Sequence, residues 1–485
     1  MWSPELGNGT IYIGGTWRRA ESGATFPSRN PATGEEIGSV SDAGTAEAAA
    51  ATAAATAAAD SWAATTPYER AEILLTAHRL MTERAEDLAV LMTTEQGKPL
   101  RAARNEVRYA ADFLQWFSEE AKRVYGSTIP SARADQRFIT MHQPVGIVAA
   151  ITPWNYPISM ITRKAGPALA AGCPVILKPA EQTPLCAVAV FQLLAEAGLP
   201  DGVLGLITTS DPVPVGRFLL ESDAVRKLTF TGSTEVGKAL AAQAAGTVKR
   251  VSLELGGHAP FLVFDDADPA HAAKGAALIK FLNTGQACIS PNRIFVQRAI
   301  YDEFVSVLTK RVAALRAGNG GDPAVSIGPL IDEQAMAKME RHTRDATGKG
   351  ARLLTGGQRL AGAEFDQGMF FAPTVLADVT PDMLIYREET FGPIAAVTPF
   401  DDEDEAIAMA NDTVYGLASY VYTRDISRAF RVCEALRFAI VGVNDINPTS
   451  AAAPFGGTKE SGLGREGGRE GITEYLDTKL VGISI

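Results

Sequence analysis

Short apolar runs alternate with longer stretches of helical periodicity from residue 146 onwards. Runs of buried-strand character occupy 146–151, 174–178, 202–208 and 225–230, and helical stretches that each end in glycine separate the first three. Strands roughly 25–30 residues apart are typical of right-handed βαβ units, in which a helix crosses from one parallel strand to the next. The pattern therefore predicts an α/β fold with a doubly wound parallel sheet.

A second alternation of the same kind follows in the later half of the chain. Its predicted strands are 259–264, 293–297, 394–400, 418–423 and 439–444. The segments near 122–140 and 470–485 fit neither pattern, and the latter is typical of an edge strand that is free to pair elsewhere. We therefore expect a first α/β domain (1–121 and 141–250), a second α/β domain (251–440) and a small β element (122–140 and 469–485).

Size and charge narrow the classes of partner. A chain of 485 residues suggests about three folding units. The net charge of −11 argues against nucleic acid or an anionic membrane as the main partner. We see no apolar run long enough for a membrane span and no secretory signal. The four cysteines include no C-x-x-C pair, so we expect reduced thiols and a cytoplasmic protein.

Three residues in separate segments could together supply acyl chemistry. Cys288 lies in N-T-G-Q-A-C-I-S, although an isolated cysteine is more often buried and unreactive. Glu254 ends an apolar run one residue before two glycines, where a carboxylate has room to move. Asn155 follows the run at 146–151, at the end where an open α/β sheet presents groups to a ligand. A nucleophile, a base and an amide donor are the groups that acyl transfer needs.

The segment G-S-T-E-V-G-K-A at 232–239 suggests a different class, the phosphate-loop nucleotide triphosphatases. Position 239 is Ala, whereas that motif needs a Ser or Thr hydroxyl to hold magnesium, and the segment comes late among the predicted strands. We therefore disfavour this alternative. No histidine has the spacing of a metal ligand and no G-x-S-x-G is present, so we expect neither a metal site nor a serine hydrolase.

Nine motifs make the chain similar to the aldehyde dehydrogenase superfamily over nearly its whole length. They are NPATGEEIG (30–38), PWNYP (153–157), LKPAEQTP (177–184), FTGSTEVG (230–237), LELGG (253–257), GQAC (285–288), EETFGP (388–393), NDTVYGLAS (411–419) and PFGGTKESGLGREG (454–467). The resemblance implies a dinucleotide-binding first domain and a catalytic second domain. It also implies that the β element joins subunits in a homodimer or homotetramer.

The resemblance also implies a mechanism. Cys288 would attack the aldehyde carbon as a thiolate, while the Asn155 amide and the backbone N–H of Cys288 hold the oxyanion. Hydride transfer to the nicotinamide would leave a thioester, which a water activated by Glu254 hydrolyses. Lys164 matches a further catalytic residue of the family. A catalytically inactive member of the family would normally lack the cysteine or the glutamate, and both are present.

Six residues match cofactor contacts of the family. The set comprises Trp154, Lys178, Glu181, Ser233, Glu389 and Phe391. A carboxylate at Glu181 would accept a hydrogen bond from the 2′-hydroxyl of NAD and repel the 2′-phosphate of NADP. We therefore expect NAD as the cofactor and regard NADP as the less favoured one.

Within the family, the chain is most similar to the succinic semialdehyde dehydrogenases. Arg163 and Ser450 match residues that hold the distal carboxylate of the substrate in that subgroup. Leu282 stands where the subgroup has a second arginine, so half of a charged clamp is missing. The expected substrate is a small semialdehyde, and the alternative is a general aliphatic or aromatic aldehyde.

Overall fold

The computed structural model describes residues 9–485, which form twenty strands and fifteen α-helices. The strands are β1 (Ile11–Ile13), β2 (Thr16–Arg18), β3 (Thr25–Arg29), β4 (Glu36–Ser41), β5 (Ser127–Ile129), β6 (Gln136–Pro144), β7 (Ile147–Ile151), β8 (Val175–Lys178), β9 (Leu204–Leu206), β10 (Val225–Thr231), β11 (Arg250–Glu254), β12 (Ala259–Val263), β13 (Pro291–Gln297), β14 (Arg352–Thr355), β15 (Thr374–Ala377), β16 (Ile394–Phe400), β17 (Ala418–Tyr422), β18 (Ile440–Val443), β19 (Gly462–Leu463) and β20 (Leu476–Ser484).

The helices fill the intervals between these strands. They are α1 (Thr45–Ala63), α2 (Pro67–Glu83), α3 (Ala85–Gln96), α4 (Leu100–Glu120), α5 (Ser159–Ala171), α6 (Pro184–Glu196), α7 (Pro212–Glu221), α8 (Thr234–Ala245), α9 (Pro269–Lys280), α10 (Tyr301–Ala313), α11 (Glu333–Gly348), α12 (Leu384–Arg387), α13 (Glu403–Asn411), α14 (Ile426–Ala435) and α15 (Gly468–Thr473).

The first sheet has eight strands in the order β19-β11-β10-β7-β8-β9-β1-β2. Its five central strands, β11 to β9, are parallel, and β19 and β1 flank them in antiparallel orientation. The chain builds outward from β7 to β8 and β9, and then returns to add β10 and β11 on the other side of β7. This reversal is the topological switch point at which open α/β sheets bind ligands.

Helices cover both faces of the first sheet because successive residues of its strands point to opposite sides. Val148 and Ala150 of β7 pack with α2, α4, α5 and α6, whereas Ile147 and Ala149 pack with α1 and α7. Every residue of α5 is buried. The doubly wound arrangement predicted from the sequence is confirmed.

The second sheet has seven strands in the order β14-β15-β16-β13-β12-β17-β18. All of its pairings are parallel except that of β14 with β15. The predicted second α/β domain is therefore present, and each of the five strands predicted for it lies within two residues of its observed bounds.

The two segments that fit neither alternation pair with each other. β20 runs antiparallel to β6 from Leu476 opposite Pro144 to Ser484 opposite Gln136, and β5 pairs with the other edge of β6. They form a separate three-stranded sheet with β20 at one edge. β6 continues to Pro144, four residues past the predicted limit of this element, and β11 extends the first sheet to Glu254, past the predicted limit at 250. None of the helices described between residues 9 and 485 has the length and apolarity to cross a bilayer.

Candidate active site

The switch point of the first sheet opens into a cavity of about 400 Å³. The loop after β7 contributes Trp154 and Asn155 to its wall, and the turn after β10 contributes Gly232 and Ser233. Because β7 and β10 are parallel neighbours, their carboxyl ends deliver these two loops to the same edge of the sheet. Residues that are far apart in sequence thus meet in one cleft.

Glu254 reaches this cavity from the end of β11, where it is paired in register with Thr231 of β10. Its side chain is buried, and neither carboxylate oxygen has a hydrogen-bond partner among the described residues. Burial raises the pKa of Glu254 to about 7, and the positive charge of Arg163 partly opposes that increase. An unpaired carboxylate with a pKa near neutrality has the properties of a general base.

Cys288 follows a tightly held turn in which Asn283 and Thr284 adopt left-handed backbone angles, with φ of 49° and 60°. Such angles are strained for residues other than glycine, so neighbouring contacts must hold them. The Asn283 amide donates to the backbone oxygens of Asn155 and Gln286, and the Gln286 amide donates to Pro329. These bonds fix the segment that presents the thiol.

The thiol of Cys288 lies in the wall between two cavities. It lines the cavity already described and also a second one of about 430 Å³ on the far side. Burial raises the pKa of the Cys288 thiol well above its usual value, and the nearby Glu254 carboxylate raises it further. The thiol is therefore protonated at rest, and Glu254 is the neighbouring group able to accept its proton.

The Asn155 side chain is buried, and its amide donates to the backbone oxygen of Gln286 at 3.1 Å. That bond uses one of the two amide hydrogens and directs the group toward the Cys288 segment. The backbone oxygen of Asn155 also accepts from the Lys98 ammonium at 2.8 Å. The amide is therefore held in place from both ends.

Lys98 and Glu106 are functional neighbours that the sequence analysis missed. They form a fully buried ion pair, and the Glu106 carboxylate accepts from the backbone N–H groups of Ile158 and Ser159, both at 3.1 Å. The pair thus ties α4 to the loop that carries Asn155. The only sequence signal was a lysine directly before a proline-started helix and a glutamate eight residues on, which is too common to interpret alone.

Glu466 joins Arg163 and Lys164 in a buried cluster. Its carboxylate lies 2.7 Å from Arg163 Nη2 and 2.5 Å from Lys164 Nζ, and all three side chains are at most 6% exposed. Arg163 also lies over the ring of Phe455 and lines the second cavity. Lys164 lines neither cavity and donates to Thr229, so the structure places it behind the site.

The other two residues proposed from the sequence to contact the substrate differ in their placement. Leu282 lines the second cavity and is partly exposed. Ser450 is exposed and does not line that cavity, whereas the preceding residue, Thr449, does. The structure therefore brings Leu282, but not Ser450, to the wall of the second cavity.

Most of the residues proposed to bind the cofactor surround the first cavity. Trp154 and Phe391 make an edge-to-face contact with ring centroids 5.6 Å apart. Glu389 accepts from the backbone N–H of Gly257 at 2.8 Å, and Ser233 caps the start of α8. Lys178 and Glu181 form an ion pair at 2.8 Å, where β8 ends, but do not line this cavity.

The first cavity suits a dinucleotide. Its wall contains Ser233 at the start of α8, a helix end whose backbone N–H groups favour a phosphate. It also contains Thr231, whose buried hydroxyl has no partner in residues 9–485. Ala239, at the position where a phosphate loop needs a Ser or Thr hydroxyl, lies inside α8. Across the described range no cluster of three or more His, Cys, Asp or Glu side chains is placed to hold a metal ion.

Comparisons with known proteins agree with this geometry. The model of the aldehyde dehydrogenase family matches residues 17–481. The chain is 52% identical to a glutarate-semialdehyde dehydrogenase of Pseudomonas putida, over 98% of this chain and 97% of the relative. It is also 52% identical to an NADP(+)-dependent succinate-semialdehyde dehydrogenase of Escherichia coli, over 98% and 97% of the two chains.

A solved structure gives the same result for the fold. The succinate-semialdehyde dehydrogenase of Burkholderia pseudomallei superimposes with a TM-score of 0.97 and 49% identity, and the alignment covers 100% of both chains. The matched family model and these full-length similarities show that the chain belongs to the aldehyde dehydrogenase family.

Proposed function

We propose that the protein oxidises a small ω-carboxylated semialdehyde to the corresponding acid with NAD as the hydride acceptor. The observation that carries this proposal is the position of Cys288 between two cavities. One cavity has the helix start and carboxylate suited to a dinucleotide, and the other has the cationic groups suited to an anionic aldehyde. The thiol is the nucleophilic side chain that faces both.

The first step is addition of the Cys288 thiolate to the aldehyde carbon, with the thiol proton passing to Glu254. The new C–S bond forms as the carbonyl π electrons move to oxygen. The free hydrogen of the Asn155 amide and the backbone N–H of Cys288 would stabilise that oxyanion, and one such donor is typically worth about 3–4 kcal/mol. The chemistry supplied by a bound dinucleotide is acceptance of the hydride, which leaves a thioester on Cys288.

Glu254 then serves the hydrolytic step. After the proton taken from the thiol has passed to solvent, its carboxylate takes a proton from water while the hydroxide attacks the thioester carbon, and the C–S bond breaks to release the acid and regenerate the thiolate. Glycines at 256 and 257 come one residue after Glu254, beyond Leu255, so two positions close to the base carry no side chain. Retention of a base in this position favours water over coenzyme A as the acceptor.

The second cavity supports an anionic substrate. Its wall includes Lys98, Arg101 and Arg163 against a single acidic residue, Glu106. The relatives named glutarate- and succinate-semialdehyde dehydrogenases support the same class of substrate. A general aliphatic aldehyde remains the second candidate, because Leu282, Ile446 and Phe455 provide an apolar part of the same wall.

NAD is proposed over NADP on the strength of Glu181. This carboxylate lies beside Lys178, which matches the residue that contacts the adenine ribose in the family. An added 2′-phosphate would bring a second negative charge toward Glu181.

We also propose that the three-stranded sheet of β5, β6 and β20 joins subunits into a homodimer or homotetramer.

The substrate proposal predicts a preference that steady-state kinetics can measure. Succinic or glutaric semialdehyde should give a higher kcat/KM than pentanal, because the charged cavity favours a carboxylate. Cys288→Ala should abolish oxidation of all of them while leaving the thermal unfolding temperature close to that of the unmodified protein. Residual turnover by this variant, or a preference for pentanal, would contradict the mechanism or the substrate class respectively.

Turnover should depend on the ionisation of Glu254. Its folded-state pKa is raised to about 7, so the carboxylate is ionised and active above that pH and protonated below it. Where thioester hydrolysis limits turnover, kcat should rise about tenfold per pH unit below the midpoint and level off above it. The kcat profile between pH 5.5 and 9 measures this dependence. A profile that is flat through pH 7 would show that Glu254 is not the base.

Cofactor preference should depend on Glu181. The unmodified enzyme should show a higher kcat/KM with NAD than with NADP, and Glu181→Ser should narrow that difference by removing the negative charge. Glu196→Ser, at an exposed carboxylate on α6, is a control for the change in net charge. Equal use of both cofactors by the unmodified enzyme would place the adenine ribose away from Glu181.

A further inference from the structure

We propose that Arg101 binds the distal carboxylate of the substrate at the mouth of the second cavity. This inference rests on the proposed function, in which an ω-carboxylated semialdehyde enters that cavity. It assigns anion selection to a residue outside the motifs that carry the family resemblance.

Four charged residues line the second cavity, and three of them are neutralised. Lys98 and Glu106 pair with each other, and both are buried. Arg163 pairs with Glu466 at 2.7 Å. Arg101 forms no ion pair or hydrogen bond with any residue between 9 and 485, and it is exposed at the cavity edge. It is therefore the one lining charge in the described part of the chain that is free to meet a ligand.

Arg101 lies at the outer end of the cavity because of its position on α4. Arg101, Asn105 and Tyr109 recur every four residues and all line the cavity, so one face of the helix forms a wall from mouth to interior. Tyr109 lines the cavity together with Cys288 and Arg163. Eight residues of helix at 1.5 Å each separate Tyr109 from Arg101 by about 12 Å.

The rest of the mouth agrees with this assignment. Asn105 and Asn447 are exposed and carry amide donors, and Leu278 and Leu282 are partly exposed apolar neighbours. An aldehyde carbon held at Cys288 directs the rest of the substrate outward along this wall. Each added methylene moves the distal carboxylate away from Arg163 and toward Arg101, where a guanidinium can bind both of its oxygens.

Leu282 stands where the subgroup has a second arginine, and Arg101 on α4 would supply the positive charge that is missing there. Leu282 lies at the start of the loop before Cys288, whereas Arg101 lies on α4. Because Arg101 is exposed, solvent and salt weaken its attraction for an anion, and its contribution should be smaller than that of a buried arginine. The interaction is also made equally in the bound substrate and the transition state, so it should act on KM rather than on kcat.

The test compares four-, five- and six-carbon ω-carboxylated aldehydes with pentanal. Arg101→Ala should lower kcat/KM for the carboxylated series by about tenfold through KM, with a larger loss for six carbons than for four, and should change pentanal less than twofold. Arg101→Lys should retain part of the activity. High salt should reduce the difference in kcat/KM for the carboxylated aldehydes between Arg101→Ala and the unmodified enzyme.

Arg108→Ala is the matched control. Arg108 is an exposed arginine on the same helix, it lines neither cavity, and it has no ion pair within residues 9–485. This variant changes the net charge by the same amount and should leave both classes of substrate unaffected. If Arg108→Ala lowers kcat/KM as much as Arg101→Ala does, the effect comes from the overall charge of the protein. If Arg101→Ala loses as much kcat/KM on pentanal as on the carboxylated aldehydes, Arg101 has a structural role.

Two further outcomes separate this inference from the proposed function. An unmodified enzyme that prefers the carboxylated aldehydes, together with an Arg101→Ala variant that loses nothing on them, contradicts the inference alone. An unmodified enzyme that prefers pentanal contradicts the proposed substrate class and the inference with it.

Discussion

Burial of charge around Glu466 determines the chemistry on both sides of Cys288. Arg163 and Lys164 leave water because one carboxylate, that of Glu466, neutralises them at short range. A buried ion is stable only when it has such a partner. Both cations pair with Glu466, and the nearby Glu254 carboxylate has no ion pair and no hydrogen bond within the described chain, so burial raises its pKa to about 7 while Arg163 opposes that increase only in part. Burial, together with the absence of a paired cation, thus gives Glu254 the properties of a general base.

The topology of the first sheet brings these groups together. The order of strands reverses beside β7, so the loops after β7 and β10 and the end of β11 converge at one edge. Asn155, Ser233 and Glu254 come from these three positions. The buried pair of Lys98 and Glu106 then fixes the loop of Asn155 against α4. Because α4 also forms a wall of the second cavity, the same helix supports Asn155 and lines the cavity proposed to take the aldehyde.

The sequence predicted the parallel strands well because buried strands of an α/β sheet are continuous apolar runs. That Cys288, Glu254 and Asn155 line one cavity could be predicted, because they lie near residues with restricted roles, such as a Gly-Gly pair or two prolines. Glu466 and Glu106 could not, since their functions depend on partners 302 and 8 residues away in sequence that only folding brings within reach. The pairing of Arg163 with Glu466 could not be predicted from the sequence either, and it reduces the positive charge that this arginine offers to a substrate.

The central claim is that Cys288 carries the acyl group and Glu254 releases it, and intact-mass analysis of Glu254→Gln tests this most directly. After mixing with NAD and a semialdehyde, this variant should form NADH more slowly than the unmodified enzyme, because Glu254 also takes the thiol proton, and should stop near one equivalent. Its mass should rise by that of the aldehyde minus two hydrogens, and peptide mapping should locate the adduct on Cys288. A variant that turns over at the rate of the unmodified enzyme, or forms NADH without an acyl adduct on Cys288, would contradict the account.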